Sequence, residues 1–391
     1  MPDTLISHQP LVNRQSKIIA TRLTLHLGAG GRCSDAVRSL NAIADVWPAG
    51  DKPVFVSCGK IPCDATFLQW TGAPNATLEL QSGPFVDAGA ADFVARLKEL
   101  GLPLCLDFDA NAAQVLSTGA QFRFIGFDAQ SFTPAQLRVL ATKTQPYGIP
   151  LAFNVETAQE FQSSLDAGMT AAASWFFKRP VAAPAKALNP AQAQIIRVLN
   201  LVRKNADVKE IEAALKHDVA LSYKLLRYIN SAGFGLSCEI QSFRHAVTIL
   251  GYEKLNKWLS LLLATAGKDP MATAMMHTAL TRARLMELLA QGLVDRREYD
   301  NLFITGAFSL LDALLGVGME QVLESMHLPE PISDALLGNE GMYGPFLDLA
   351  VACEGSDGEA IAEQVGMLGL SAEHFNRAQL QALAFADAME F

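Results

Sequence analysis

Short apolar runs rich in β-formers recur through the first half of the chain, at 54–58, 76–81, 103–108, 122–128, 150–155 and 171–177. Between them lie stretches with helical spacing, such as 90–100, where Phe93, Val94, Leu97 and Leu100 share a face, and 134–144. An earlier strand is predicted at 18–27 and an earlier helix at 34–46. Strand, helix, strand at this interval means βαβ units and a parallel sheet. About seven strands fit a compact TIM-like (β/α) barrel of the α/β class. An open doubly wound sheet answers to the same pattern, but no strand is followed by a G-x-G-x-x-G loop. The run 177–189, with Pro180 and Pro184 among small residues, has no apolar period and closes this half.

Beyond it the period is helical throughout, so the second half is expected to be all-α. Asn189 and Pro190 read as a cap and first turn. Ile195, Ile196, Leu199 and Val202 then form one face. Asp207 with Glu210 is a capping-box variant, and Asp218 caps a third helix that Asn230, Ser231 and Gly233 end. Ser242 opens another that stops at Gly251. Later helices are predicted at 273–291, 301–315, 319–326, 331–337, 345–352, 358–366 and 371–389. The expected organisation is a barrel over 1–180, a linker over 181–188 and a helical domain with a C-terminal extension over 189–391.

Composition narrows the classes. Half of the 391 residues are hydrophobic and the net charge is -9, which excludes a disordered chain and argues against nucleic acid as partner. The six cysteines, Cys33, Cys58, Cys63, Cys105, Cys238 and Cys353, form no C-x-x-C and no zinc spacing, so buried free thiols are expected. The N-terminal segment is polar and lacks the apolar core of a signal peptide. The longest apolar stretch, 302–319, carries Asp312 and two glycines and reads as buried helices, not a membrane span. A cytoplasmic protein without membrane contact is the expectation.

In a β/α barrel chemistry gathers at the carboxyl ends of the strands. Ser57, Glu79, Asp107, Asp128 and Glu156 fall there. Four carboxylates at one mouth could hold Mg²⁺ or Mn²⁺ and activate water, or could simply cap helices and pair with basic residues. Spacing leaves both readings open.

Several runs, in their order, resemble the EAL-type cyclic di-GMP phosphodiesterases. They are Gln9-Pro10-Leu11-Val12-Asn13-Arg14-Gln15, Leu104-Cys105-Leu106-Asp107-Phe108-Asp109, Phe124-Ile125-Gly126-Phe127-Asp128, Leu151-Ala152-Phe153-Asn154-Val155-Glu156-Thr157 and the closing Ser174-Trp175-Phe176-Phe177-Lys178-Arg179-Pro180. Residues from about 188 to 300 resemble the HDOD domain, through the run from Asp218 to Phe234 and the run from Ile240 to Gly251. Together the two halves are similar to YuxH-type EAL–HDOD tandem signalling proteins.

The departures matter as much. Where the resemblance implies a metal-binding Glu stands Arg22, and where it implies Asn stands Ser57. The second Asp of the acidic pair falls at Phe108, with Asp109 one place on and expected, by strand alternation, to aim away from the mouth. The catalytic Lys falls at Gly126, a family Glu at Phe153 and a Gln at Ala173. Arg22, Ser57, Glu79, Asp107, Asp128 and Glu156 are therefore read as a vestigial site, with no catalytic residue, no metal and no cofactor. In the helical half His217-Asp218 spells the dipeptide of HD hydrolases, but the later histidines show no grouping with acids, and Gly306-Ala307-Phe308-Ser309-Leu310 stands where a true HD enzyme has its pair. Asp218, Asn230, Ser231, Ser242 and Gly251 are read as structural or interaction positions. Arg227, Lys224, Arg244 and Lys254 form a mild basic set that could meet an acidic partner.

The expectation that follows is a bacterial regulator that is not an enzyme and works on unknown signalling proteins in motility or biofilm control. Two alternatives place cyclic di-GMP in the mouth, either bound without hydrolysis or weakly hydrolysed. A structural homo-oligomer is a further alternative.

Overall fold

A computed structural model describes residues 4–59, 64–86, 91–99, 101–175, 190–216, 247, 251–256, 259–260, 263, 272–316, 318–324 and 328–389. The chain divides into two compact units, Met1–Phe177 with Ala352–Arg377, and Lys178–Val351 with Ala378–Phe391.

The first unit is a closed barrel of eight strands in sequence order: β1 Thr4–Asn13, β2 Ile18–Leu27, β3 Val54–Ser57, β4 Ala76–Leu80, β5 Leu104–Asp107, β6 Phe124–Asp128, β7 Ile149–Val155 and β8 Ala171–Ser174. Neighbours from β2 to β8 pair in parallel. β1 runs antiparallel to both β2 and β8. The strand pattern of the sequence is thus met, with one strand more than expected. The addition is β1, which the polar residues and Pro10 hide. Thr4, Ser7 and His8 are buried in it all the same.

Side chains in a strand alternate faces, so every second residue of each strand enters the barrel. The interior cluster follows that rule: Leu11, Ala20, Phe55, Cys105, Phe124, Leu151, Phe153, Ala171 and Ala173. Continuing the same series toward the carboxyl ends brings Arg22, Ser57, Glu79, Asp107, Gly126 and Asp128 to the mouth. The helices outside begin where the sequence announces them. Thr133 and Gln136 form a capping box at Pro134–Thr144, and Thr157 and Glu160 form another at Ala158–Asp166.

β1 explains why Ala352–Arg377 belongs to the barrel unit. β8 pairs only with Leu11, Val12 and Asn13, which leaves the earlier part of β1 without a ladder on that side. The C-terminal segment supplies the missing partners. Asn376 accepts from Ile6 N at 3.1 Å and donates to Thr4 O at 2.8 Å, and His8 N donates to Cys353 O at 2.9 Å. Buried backbone groups must be paired, and here residues far along the chain do the pairing. The stretch expected as one domain over 189–391 therefore divides, Ala352–Arg377 counting with the barrel.

The second unit is helical, as its period requires. Pro190–Arg203 buries Ile195, Ile196, Leu199 and Val202. Ala272–Leu289 and Tyr299–Phe308 pack so closely that a Cβ on Gly306 would lie 2.5 Å from Ala283 Cα. The helix predicted over 301–315 is two, Tyr299–Phe308 and Leu311–Leu315. Ser309 breaks it: its hydroxyl donates back to Gly306 O at 2.7 Å and accepts from Arg282 Nη1 at 2.9 Å. Among the described residues no helix is long and apolar enough to cross a membrane, and Cys33, Cys58, Cys105 and Cys353 are buried free thiols.

Candidate functional site

The barrel mouth is organised around Arg22. Its Nε donates to Glu79 Oε2 at 2.8 Å and its Nη2 to Glu79 Oε1 at 2.6 Å, a two-pronged ion pair. The side chains are 13% and 4% exposed. Ser57 Oγ donates to Glu79 Oε1 at 2.9 Å, so both carboxylate oxygens are engaged. Arg22 Nη1 reaches Gln9 Oε1 at 3.4 Å, and the guanidinium lies 4.3 Å from the centre of the Phe153 ring. Burial works against the charge on Arg22. Attraction and hydrogen bonding to Glu79, with Asp107 adding to them, more than offset it and raise the guanidinium pKa above its usual value.

Asp107 stands beside this pair. No hydrogen bond among the described residues ties its carboxyl. Burial first, then repulsion by Glu79, pushes its pKa from 3.8 to about 7, with Arg22 pulling the other way. Cys105 lies below it in the interior, and burial together with Glu79 and Asp107 drives its thiol well up. Cys105 is therefore a neutral core thiol and no nucleophile.

The remaining carboxylates do not join the cluster equally. Asp128 is turned into its own strand-end turn, accepting from Gln130 N at 2.9 Å and Ser131 Oγ at 3.1 Å. Glu156 is exposed, one step off the inward series of β7. Asp109 does not follow the alternation argument, because β5 ends at Asp107. It ties the end of β4 to the end of β5, accepting from Ser82 N at 3.0 Å, from the Ser82 hydroxyl and from Asn111 N at 2.9 Å. Phe108 faces outward and stacks on Phe127, with ring centres 4.8 Å apart. Ala173 is fully buried in the interior.

The metal implied by the EAL resemblance does not fit these residues. The best-placed carboxylate, Glu79, spends both oxygens on Arg22 and Ser57. Among the described residues no group of three or more His, Cys, Asp or Glu gathers closely enough to hold an ion.

In the helical unit Asp218, Asn230, Ser231 and Ser242, with Arg227, Lys224 and Arg244 of the basic set, lie outside the described residues. Gly251 takes a left-handed φ of 74° and stands at the head of a described helical run through Asn256. One histidine of this unit does meet an acid, His277 Nε2 lying 3.1 Å from Asp387 Oδ1, a single pair and not the grouping of an HD metal site. The two are far apart in sequence, and no local spacing announces them.

Comparison with known proteins assigns residues 187–321 to the HDOD domain. The chain is similar to a protein of Vibrio cholerae serotype O1 named cyclic di-GMP phosphodiesterase CdgJ, 31% identical over 233 residues, covering 59% of this chain and 54% of that protein. It is also similar to the uncharacterized protein YuxH of Bacillus subtilis, 28% identical over 57% of this chain and 56% of that one. The chain spans about half the length of these relatives. Among solved structures it resembles the EAL domain of Mycobacterium smegmatis DcpA, 12% identical over 46% of this chain and 93% of that one, with a TM-score of 0.35, a likeness too slight to add to the barrel's own description. The name of the Vibrio cholerae relative overturns the expectation that the chain is not an enzyme, and with it the low rank given to cyclic di-GMP. With a barrel before its HDOD domain, the chain has the architecture of an EAL–HDOD tandem.

Proposed function

We propose that this chain is a cyclic di-GMP signalling protein whose barrel mouth takes up the cyclic dinucleotide and opens one of its phosphodiester bonds, and whose HDOD part passes the outcome to a protein partner. The observation that carries the reading is the meeting of one fixed cation, Arg22, with an untied carboxyl, Asp107, at the carboxyl ends of the strands. Opening a phosphodiester requires positive charge against its non-bridging oxygens and a group that takes the proton of the attacking water. Arg22 fits the first need and Asp107 the second, since a carboxyl titrating near neutrality accepts and returns a proton readily. The water oxygen bonds to phosphorus, the bond from phosphorus to one ribose oxygen breaks, and the departing oxygen takes up a proton. The product is the linear dinucleotide. The name of the Vibrio cholerae relative supports the substrate class. Buried free thiols support a reducing, cytoplasmic setting. Control of motility or biofilm formation is the output we assign to the tandem.

Incubation of the full chain with cyclic di-GMP at pH 8, followed by chromatography, tests the reading. Linear dinucleotide should accumulate slowly, and its formation should vanish in Asp107→Asn. No linear product from the wild-type chain, together with no heat on calorimetric titration, would reject it.

A further inference from the structure

Three replaced positions on three strands fit only with one another. Gly126 of β6 has no side chain, and the Phe153 ring of β7 fills that space: a Cβ on residue 126 would lie 2.1 Å from Phe153 Cε2 and 2.8 Å from Cδ2. A lysine cannot stand at 126 while Phe153 is there. The same ring covers one face of the Arg22 guanidinium at 4.3 Å, an arrangement that favours a cation. Opposite Nη1, Nε and Nη2 of that guanidinium are locked on Glu79 at 2.8 and 2.6 Å. The mouth is thus rebuilt around a charge carried by the chain itself.

We infer that Arg22 is a built-in cation standing in place of a divalent ion, so that the mouth takes no Mg²⁺ or Mn²⁺ and meets its ligand without one. An ion seated on Glu79 would have to displace two charge-assisted hydrogen bonds and sit within a few ångströms of a guanidinium that cannot lose its proton. Like charges at that range in a largely buried site repel strongly. Nη1, whose one hydrogen bond among the described residues is the long contact to Gln9, is the donor left for a phosphate oxygen. Only this last step rests on the proposed function; exclusion of the ion does not.

The test has a metal arm and a ligand arm, both on the full chain. In the first, Mn²⁺ alone is titrated and its free concentration followed by electron paramagnetic resonance. Wild type should take up no stoichiometric Mn²⁺. Arg22→Gln, which keeps a hydrogen-bonding side chain but removes the charge, should gain a site that Glu79→Gln in the same background abolishes. Stoichiometric uptake by wild type that Glu79→Gln removes would overturn the inference, and this holds even where Arg22→Gln fails to fold. A folded Arg22→Gln that gains no Mn²⁺ would also overturn it, since the guanidinium would not be what keeps the ion out. In the second arm cyclic di-GMP is titrated calorimetrically in EDTA and in Mn²⁺. Equal heats support the inference, and heat only with Mn²⁺ overturns it. No heat in either buffer defeats the dinucleotide reading of the mouth and leaves the metal arm to decide on the ion.

Discussion

Asp107→Asn should make the barrel more stable at alkaline pH and leave it unchanged in acid. The wild-type carboxyl is raised from 3.8 to about 7, first by burial and then by Glu79. A raised carboxyl binds its proton in the folded state while the unfolded chain has already released it. Its contribution to stability is therefore whole below about pH 4 and is lost as pH rises through about 7. At about 1.36 kcal/mol per pH unit the whole window is worth about 4 kcal/mol, an upper figure because the group sits at a strand end that solvent partly screens. Between pH 5 and pH 8 wild type should lose about 2 kcal/mol that the Asn variant, neutral throughout and nearly the same shape, retains. Urea unfolding of both proteins at the two pH values measures this. In a Trp258→Phe background the remaining tryptophans, Trp47, Trp70 and Trp175, all lie in the barrel unit, so tryptophan fluorescence follows the relevant transition. If the gap between variant and wild type stays within about 0.5 kcal/mol at both pH values, Asp107 is not held protonated by its surroundings and the reasoning fails.

Other consequences follow from packing and pairing. Arg22→Ala should cost about 3–5 kcal/mol, because it leaves Glu79 as a buried, uncompensated charge; an unfolding midpoint equal to wild type would contradict the ion pair. Gly126→Ala should cost about 1–3 kcal/mol through its clash with Phe153, and a double-mutant cycle with Phe153→Leu should recover most of that loss. Asn376→Ala should cost about 1–3 kcal/mol by removing the two buried hydrogen bonds it makes to Ile6 N and Thr4 O, seen as a lower unfolding midpoint of the barrel unit. Arg203→Met should stabilise the helical unit by about 1 kcal/mol or more, read as a rise in its thermal midpoint. The reason is that among the described residues neither terminal nitrogen of Arg203, both buried, finds a hydrogen-bond partner, and burial pulls its pKa from 12.5 to about 9.

The sequence exposes those parts of the fold that rest on local periodicity. Alternation and interval mark β2 to β8, the capping boxes at Thr133 and Thr157 start their helices, and the helical spacing after residue 190 marks an all-α half. What it hides depends on partners remote in the chain. β1 does not look like a strand because Thr4, Ser7, His8 and Pro10 interrupt its apolar run, and part of its backbone is met by Asn376 and Cys353, which no window around Thr4–Asn13 contains. His277 and Asp387 meet for the same reason without any spacing rule to announce them. The mouth shows the sharper limit. Read singly, Arg22, Gly126 and Phe153 are three absences: an acid, a lysine and another acid gone. Packed together they are one arrangement, in which the missing lysine makes room for a ring and the ring covers a guanidinium that neutralises Glu79. A charge deleted from one strand and restored on another leaves the electrostatics of the mouth altered in kind but not emptied. Residue-by-residue comparison with a motif records only the deletion, because the restoring contact exists only once the barrel has closed.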